Sequence, residues 1–237
     1  MHQVELYLFL TNLVFMLRKI KKIHVYIPNL EERIERKDSI IRQFKMKSEF
    51  LLTIVPAIRN QIGAWGLWQT FIKIVEEEYR NGSDFFIFCE DDHIFTRNYC
   101  LQYLQENITA ANARGADLLS GGVSWLQDAI QCTEHLFWIR AFNGLQFTVI
   151  YKRFYKKILN SNLHEGYVTD FYLSTLSDNK FVIYPFISRQ REFGYSDVTD
   201  TNNEKGYINK LFRNTDKSLY ILNKVRSFYQ DIRHEIL

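Results

Sequence analysis

Glycine and proline are both scarce in this chain, at ten and three of 237 residues. That excludes collagen-like and low-complexity chains. Cysteine occurs three times, at Cys89, Cys100 and Cys132, with neither a C-x-x-C pair nor an even-numbered framework. A disulfide scaffold is not expected; buried free thiols in a reducing, cytoplasmic compartment are. A strong charge of one sign is also missing. The formal net charge is +3, too small to imply a nucleic-acid partner. It leaves room for anionic ligands such as nucleotide phosphates, or for a membrane surface. The apolar run from Leu6 to Leu17 falls short of the ~20 residues of a membrane-spanning helix. Its basic residues, Arg18, Lys19, Lys21 and Lys22, follow it, and no small-residue cleavage site is present, so it is no signal peptide. Two readings of it stand: a helix packed on the domain, or a shallow anchor with the basic residues at lipid headgroups.

What is present describes a globular chain. Hydrophobic residues make up 46% and charged residues 24%, which excludes disorder. Nineteen Phe and fourteen Tyr point to a core packed on rings. Ile23 to Ile27 reads as a strand, ended by Pro28. Asn29 is a good helix N-cap, with Glu31 and Glu32 in the first turn, so a helix is expected from Leu30 to Phe44. Phe50 to Val55 reads as a second strand, closed by Pro56. A helix over Gln61 to Tyr79 follows from Ala64, Trp68, Phe71, Ile72, Val75 and Tyr79 at helical spacing, ended by Asn81-Gly82.

Phe85 to Cys89 is apolar throughout, as in a strand covered on both faces. A helix from Asn98 to Ala113 stops at Gly115, a strand runs from Asp117 to Ser120, and Gly121-Gly122 turns it. Then come a strand at Leu145 to Tyr151, helices at Lys152 to Leu159 and Asp170 to Ser177, and a strand at Phe181 to Tyr184. The tail from Tyr207 is helical and basic. Ile221, Val225, Phe228, Ile232 and Ile236 share one face of it, expected to pack on the domain. Lys224 and Arg226 then face water or anionic lipid. This alternation predicts an α/β fold with a mostly parallel central sheet and helices on both faces. The expected organisation is an N-terminal segment (1–22), one domain (23–205) and a C-terminal helical extension (206–237).

Ligands of open α/β sheets bind beyond the carboxyl ends of the strands. Glu90, Asp91 and Asp92 stand there, directly after the apolar strand. Adjacent carboxylates at a buried strand end repel one another and resist desolvation. Mg²⁺ or Mn²⁺, which prefer hard oxygen ligands, would relieve this and bridge to phosphates; a solvated acidic turn is the alternative. His93 either orients a phosphate or hydrogen-bonds to the acids. A Walker A sequence, a G-x-G-x-x-G fingerprint (Gly63-Ala-Trp-Gly66 is only G-x-x-G), a G-x-S-x-G elbow and an H-E-x-x-H pair are all lacking. Neither a P-loop nucleotidase nor a nicotinamide dehydrogenase is therefore favoured.

Four stretches, in order, give the chain a resemblance to glycosyltransferase family 25. That group includes lipopolysaccharide-type β-galactosyltransferases and collagen galactosyltransferases. They are Val25-Tyr-Ile-Pro-Asn-Leu-Glu-Glu-Arg33-Ile-Glu-Arg36, Pro56-Ala-Ile with Gly63-Ala-Trp-Gly66-Leu-Trp-Gln-Thr-Phe, Phe88-Cys-Glu90-Asp91-Asp92-His-Ile-Phe, and Val168-Thr-Asp170-Phe-Tyr-Leu with Gln190-Arg-Glu-Phe-Gly-Tyr-Ser196-Asp197-Val. The likeness covers about residues 23 to 199. Where the family commonly has Cys and Ser-His in its glycine-led helix, this chain has Leu67, Gln69 and Thr70.

The resemblance implies a GT-A architecture: a single α/β domain that transfers a hexose from a UDP-sugar, galactose among the candidates. The acceptor is a glycan or lipid-linked saccharide of the cell surface or of lipopolysaccharide. It implies Mn²⁺ or Mg²⁺ at Glu90 and Asp92, and nucleotide-sugar contacts from Arg33, Arg36, Asp91, Ser196 and Asp197. Arg33 and Arg36 would pair with the diphosphate or stack on uracil, or simply face water. Inversion requires a base for the acceptor hydroxyl. Asp170, an acid among aromatics, is the candidate; a helix-capping acid is its other reading. Asp197 is either a late metal or nucleotide contact or a capping acid. Trp125 is either a sugar platform or a core residue. No nucleic acid is expected, and a cytoplasmic site peripheral to the inner face of the membrane is. A non-catalytic nucleotide-sugar or carbohydrate module, and a Mg²⁺-dependent phosphotransferase, are the competing readings; the missing phosphate loop counts against the second.

Overall fold

A computed structural model describes residues 22–163, 167–194 and 204–236, the last six of these as backbone only. The Leu6–Leu17 run, Ser196 and Asp197 lie outside the described residues.

The chain opens with β1 (Ile23–Asn29), whose residues are buried on both faces. Helix α1 (Ile34–Phe44) follows, then β2 (Phe50–Pro56) and α2 (Gly63–Asn81). Asn29 is not the expected N-cap. It is the last residue of β1, Arg33 stands at the N-cap position, and α1 starts four residues later than Leu30. Helix α2 buries Ala64, Trp68, Phe71 and Val75 as their spacing predicts, while Tyr79 is exposed. Gly82 ends α2 in the left-handed region, at φ 70°, which costs glycine no Cβ clash.

Next come β3 (Phe85–Phe88), β4 (His93–Phe95), α3 (Leu101–Ala113) and β5 (Leu118–Ser120). A hairpin of β6 (Trp125–Gln131) and β7 (Leu136–Asn143) precedes β8 (Thr148–Tyr151) and α4 (Lys152–Leu159). The chain then forms α5 (Thr169–Thr175), β9 (Lys180–Ile183), β10 (Ser188–Gln190) and α6 (Tyr207–Ile236).

The fold is α/β around an eight-stranded sheet of order β2-β1-β3-β8-β5-β9-β7-β6. By their pairings β2, β1, β3, β5, β9 and β6 run one way, and β8 and β7 run against them. The common direction is the one the alternating pattern predicts; β8, set antiparallel between β3 and β5, and β7, set antiparallel between β9 and β6, make the sheet mixed. Helices cover both faces. Trp68, Phe71 and Val75 of α2, Phe154 and Tyr155 of α4, Leu173 of α5 and Phe212 of α6 share one cluster. Ile40 and Phe44 of α1 and Leu104 and Ile108 of α3 share the other. Rings meet edge-on within both, as at Phe71 with Phe88, 5.1 Å apart, and Phe44 with Phe50, 5.2 Å apart.

The apolar face expected to dock α6 does not do so. Ile208, Phe212, Thr215 and Leu219 are buried, whereas Ile221, Val225 and Phe228 are exposed. At ~100° per residue the two stripes lie on nearly opposite sides of the helix. Periodicity reveals a stripe but not what covers it. The side chains of Ile232 and Ile236 lie outside the described residues. Among the described residues no helix is long and apolar enough to cross a membrane.

Two short pieces escape the sequence pattern: β4 and β10 form a separate antiparallel ribbon, with Gln190 opposite His93. The ribbon depends on Gly121-Gly122, where the β9–β10 connection crosses the end of β5. Ile187 and Ser188 donate backbone N–H bonds to the Gly121 carbonyl, at 2.9 and 3.1 Å. A Cβ on Gly122 would stand 2.3 Å from the Ser188 carbonyl oxygen. Because that neighbour is backbone, Gly122→Ala is expected to lower stability by ~1–3 kcal/mol, the usual scale of overpacking. Urea denaturation measures it, and an unchanged midpoint would refute the close approach.

Candidate functional site

A cavity of about 950 Å³ opens where β1, β2 and β3 end. Its wall includes Arg33 and Arg36 of the β1–α1 region, Glu90, Asp91 and Asp92 after β3, and Asp170 of α5. The cavity wall therefore gathers Arg33, Arg36, Glu90, Asp91, Asp92 and Asp170 of the residues that the sequence singled out, but not His93.

Backbone bonds fix the acidic turn from both sides. Cys89 N–H donates to the Tyr26 carbonyl (2.9 Å), Glu90 N–H to that of Gln146 (3.3 Å), and His93 N–H closes the turn onto Glu90 (3.2 Å). The three acids then diverge. Asp91 turns toward α1: its Oδ2 accepts from Asn29 Nδ2 at 2.9 Å, its Oδ1 from Arg36 Nη1 at 3.0 Å, and Arg33 Nη1 lies 3.9 Å away. Arg36 Nη1 also lies 3.5 Å from Asp92 Oδ2. The solvated-face reading of these arginines is thereby excluded: Arg36 is buried and Arg33 nearly so. Phe193 covers Arg36, its ring 4.8 Å from the guanidinium.

Glu90 accepts from Gln190 Nε2 at 3.3 Å, and the buried Asp92 Oδ1 has no hydrogen-bond partner. Burial, and then the charges of Asp92, Asp170 and Asp91, push the Glu90 carboxyl well above the usual range. Burial and the Asp91 charge push Asp92 up to about 7, against the pull of Arg36 and Gln190. Both carboxyls resist ionisation first because they are buried and then because their nearest charged neighbours include other acids. A divalent cation fits such a pair. Among the described residues no three His, Cys, Asp or Glu side chains form a ready cage. Mg²⁺ in particular is often held by one or two carboxylates, the remaining positions being filled by phosphate oxygens and water.

Asp170 reaches the cavity because Thr169 Oγ1 donates to the Ala64 carbonyl (2.9 Å), tying the start of α5 to the start of α2. Its Oδ2 accepts from Gly144 N–H and its Oδ1 from Phe171 N–H, each at 2.8 Å. Burial raises its pKa, and these amides work against that. Val168 holds the N-cap position of α5, so Asp170 is a first-turn acid rather than the cap itself.

Two other expectations change. The His93 side chain neither bonds to the acids nor lines the cavity. It is buried, hydrogen-bonded through Nδ1 to Ser188 Oγ at 2.7 Å and stacked on Phe147; burial, then Lys47, drives its pKa down to about 3. Trp125 is not a core residue: it is 41% exposed and lines the cavity.

Several residues that hold the site together were not foreseen in their roles. Asn29 holds Asp91, Gln190 holds Glu90, and Arg191 N–H donates to the Asp92 carbonyl at 2.7 Å. The last two arrive through the β4–β10 ribbon, a long-range pairing of three-residue strands with no local signal. Thr70 has a clear structural task. It accepts from Ile58 N–H (2.9 Å) and donates to the Gly66 carbonyl (2.7 Å), holding the loop after β2 against α2. A Cβ on Gly66 would stand 2.2 Å from the Ile58 carbonyl oxygen, so that loop needs glycine there.

No protein-family model matches the chain, and no curated protein matches it. Solved structures similar to it include a glycosyltransferase involved in glycosylating the major capsid of PBCV-1, at 5% identity and TM-score 0.37. That match covers 58% of this chain, and the chain spans 63% of that protein. An apo UDP-glucose pyrophosphorylase matches at 11% identity and TM-score 0.44, over 83% of this chain and 82% of the other. A nucleoside-diphosphate-sugar pyrophosphorylase from Vibrio cholerae matches at 10% and 0.36, over 81% of each. At such identities none of them carries a residue's role over to this chain.

Arg36 is the cation on which the buried acids depend. Removing one partner of a buried pair strands the other's charge, so Arg36→Met is expected to destabilise the fold by ~3–5 kcal/mol. Arg59→Met, which breaks an exposed pair with Glu32, should cost ~1 kcal/mol or less. Chemical denaturation of the two variants side by side checks the contrast.

Proposed function

We propose that this chain is a nucleotide-sugar-dependent glycosyltransferase of the metal-assisted, inverting kind, akin to family 25. It would move a hexose from a UDP-sugar to a saccharide acceptor of a cell-surface glycan or lipopolysaccharide, at the cytoplasmic face of the membrane. One observation carries the reading: a single 950 Å³ cavity at the strand ends gathers Glu90 and Asp92, Arg33 and Arg36, and Asp170.

Glu90 and Asp92 would hold Mn²⁺ or Mg²⁺, which when bound supplies positive charge where a departing diphosphate gains negative charge. Arg33 and Arg36 place two guanidiniums on the same side of the cavity. Asp91, locked by Asn29 and Arg36, orients Arg36 rather than meeting the ligand itself. Asp170 would accept the proton of the acceptor hydroxyl; burial raises its basicity toward the working range of a general base. Trp125 offers a flat apolar face for a sugar ring. Ser196 and Asp197 are proposed as further nucleotide contacts on the strength of the resemblance alone.

The binding half of this reading predicts that UDP affinity depends on a divalent cation. By calorimetry, UDP should bind with Mn²⁺ and at least tenfold more weakly with chelator, and Asp92→Asn should remove that difference while the protein stays folded. Equal affinity in the two conditions for the wild type would overturn the metal assignment.

A second reading, a binding module without turnover, is favoured by one specific feature: both oxygens of Asp170 already accept backbone amides. Asp170→Asn separates the two, because it keeps the side chain's size and removes its basicity. As a base, its loss should lower UDP release from donor plus acceptor by ~10²–10⁴-fold, or about 3–5 kcal/mol of barrier, at unchanged UDP affinity. Normal turnover in this variant would leave Asp170 a structural acid.

A further inference from the structure

Helix α6 carries a surface that the cavity does not use. From Ile221 onward an apolar stripe at i, i+4, i+7 and i+8 stands in solvent: Ile221 is 51% exposed, Val225 48%, Phe228 61% and Tyr229 63%. Tyr220, half exposed, flanks it, with Lys224 Nζ 5.5 Å from the Tyr220 ring centroid. These residues line a shallow groove along the helix. The stripe is not unfinished core, because the helix docks by a different side, through Ile208, Phe212, Thr215 and Leu219.

Charge decides what covers the stripe. Over Tyr207–Ile236, α6 carries Lys210, Arg213, Lys217, Lys224, Arg226 and Arg233 against three acids, Asp216, Asp231 and Glu235. Asp216 lies 3.8 Å from Arg189. At 100° per residue Lys217 and Lys224 border the stripe on one edge, and Lys210 and Arg213 continue that edge toward the cavity. A second copy would set two such basic edges against each other. A surface that is itself anionic and has an apolar layer beneath satisfies both features. Aromatic and aliphatic residues on one side of a helix with lysines beside them are what an interfacial helix presents.

We propose that the C-terminal half of α6 is a membrane-surface contact. Its Ile221–Val225–Phe228–Tyr229 stripe enters the headgroup–acyl boundary of an anionic bilayer, and Lys217 and Lys224 meet the lipid phosphates. The contact stands whether or not the cavity is catalytic.

The test uses the full chain and vesicles of phosphatidylcholine alone or with 30% phosphatidylglycerol, read by co-sedimentation. The wild type should partition onto the anionic vesicles and not onto the neutral ones, with loss of binding in high salt. Lys224→Gln should weaken partition about fivefold, the share expected for one lysine near an anionic surface. Phe228→Glu should abolish it, with UDP binding and melting temperature unchanged. Equal binding to neutral vesicles would overturn the charge component. Unaltered partition in both variants would overturn the proposal and assign the contact to the Leu6–Leu17 run instead. A dimer in vesicle-free solution that Phe228→Glu dissociates would overturn it in favour of a second copy.

Discussion

One constraint organises this molecule: a surplus of negative charge at the end of its central strand. Glu90, Asp91, Asp92 and Asp170 share a cavity with Arg33 and Arg36. Carboxylates that cannot reach water need cations, donors or protons. The surrounding elements are placed to supply the first two. β1 ends with Asn29 against Asp91, α1 brings Arg36 one turn into the helix, and β10 delivers Gln190 to Glu90. The late start of α1 belongs to the same arrangement. Asn29 closes β1 and gives its Nδ2 to Asp91, and α1 begins at Ile34 with Arg33 at an N-cap position that makes no side-chain cap. A modest loss of helix stability, about 1 kcal/mol for a missing cap, is accepted where a stranded buried charge would cost several times more.

Such a site needs rigid walls, and the aromatic core provides them. Both sheet faces are packed with rings, and the acidic turn is held through backbone bonds to Tyr26 and Gln146 rather than through mobile side chains. Two close approaches set the cavity's outline: Gly66 under the Ile58 carbonyl and Gly122 under that of Ser188. Neither tolerates a Cβ without backbone movement. They stand on opposite flanks of the acids, one fixing the loop after β2 and the other fixing the ribbon that carries Gln190.

The parts legible in the sequence are those with local causes. The alternation of strands and helices, the apolar Phe85–Cys89 run with acids after it, and the αL stop at Gly82 each follow from neighbouring residues. The illegible parts have distant causes. β6 reads Trp-Leu-Gln-Asp-Ala-Ile-Gln and lies mostly exposed at the sheet edge, so it lacks a strand's clean alternation. β4 and β10 are three residues each and exist only through each other. Asn29 carried a sound local capping signal, yet it closes β1 beside Pro56 and its amide meets Asp91, 62 residues away. Arg33 and Arg36 could not be told from a solvated pair until the turn after β3 was in place. The exposed Trp125 was hidden for the same reason, since its wall exists only once the β6–β7 hairpin forms.

Helix α6 ties the cavity to the exposed stripe in one rigid body. It begins in the cavity wall with Tyr207, Ile208 and Leu211, and Glu192 accepts the Gly206 and Asn209 amides at its start, at 2.8 and 3.0 Å. Its docking side and its exposed stripe face nearly opposite ways. If the stripe seats on a bilayer as proposed, the docked side of α6 keeps the sheet on the far side of the helix, and none of the buried residues Ile208, Phe212, Thr215 and Leu219 has to leave its place for the contact to form.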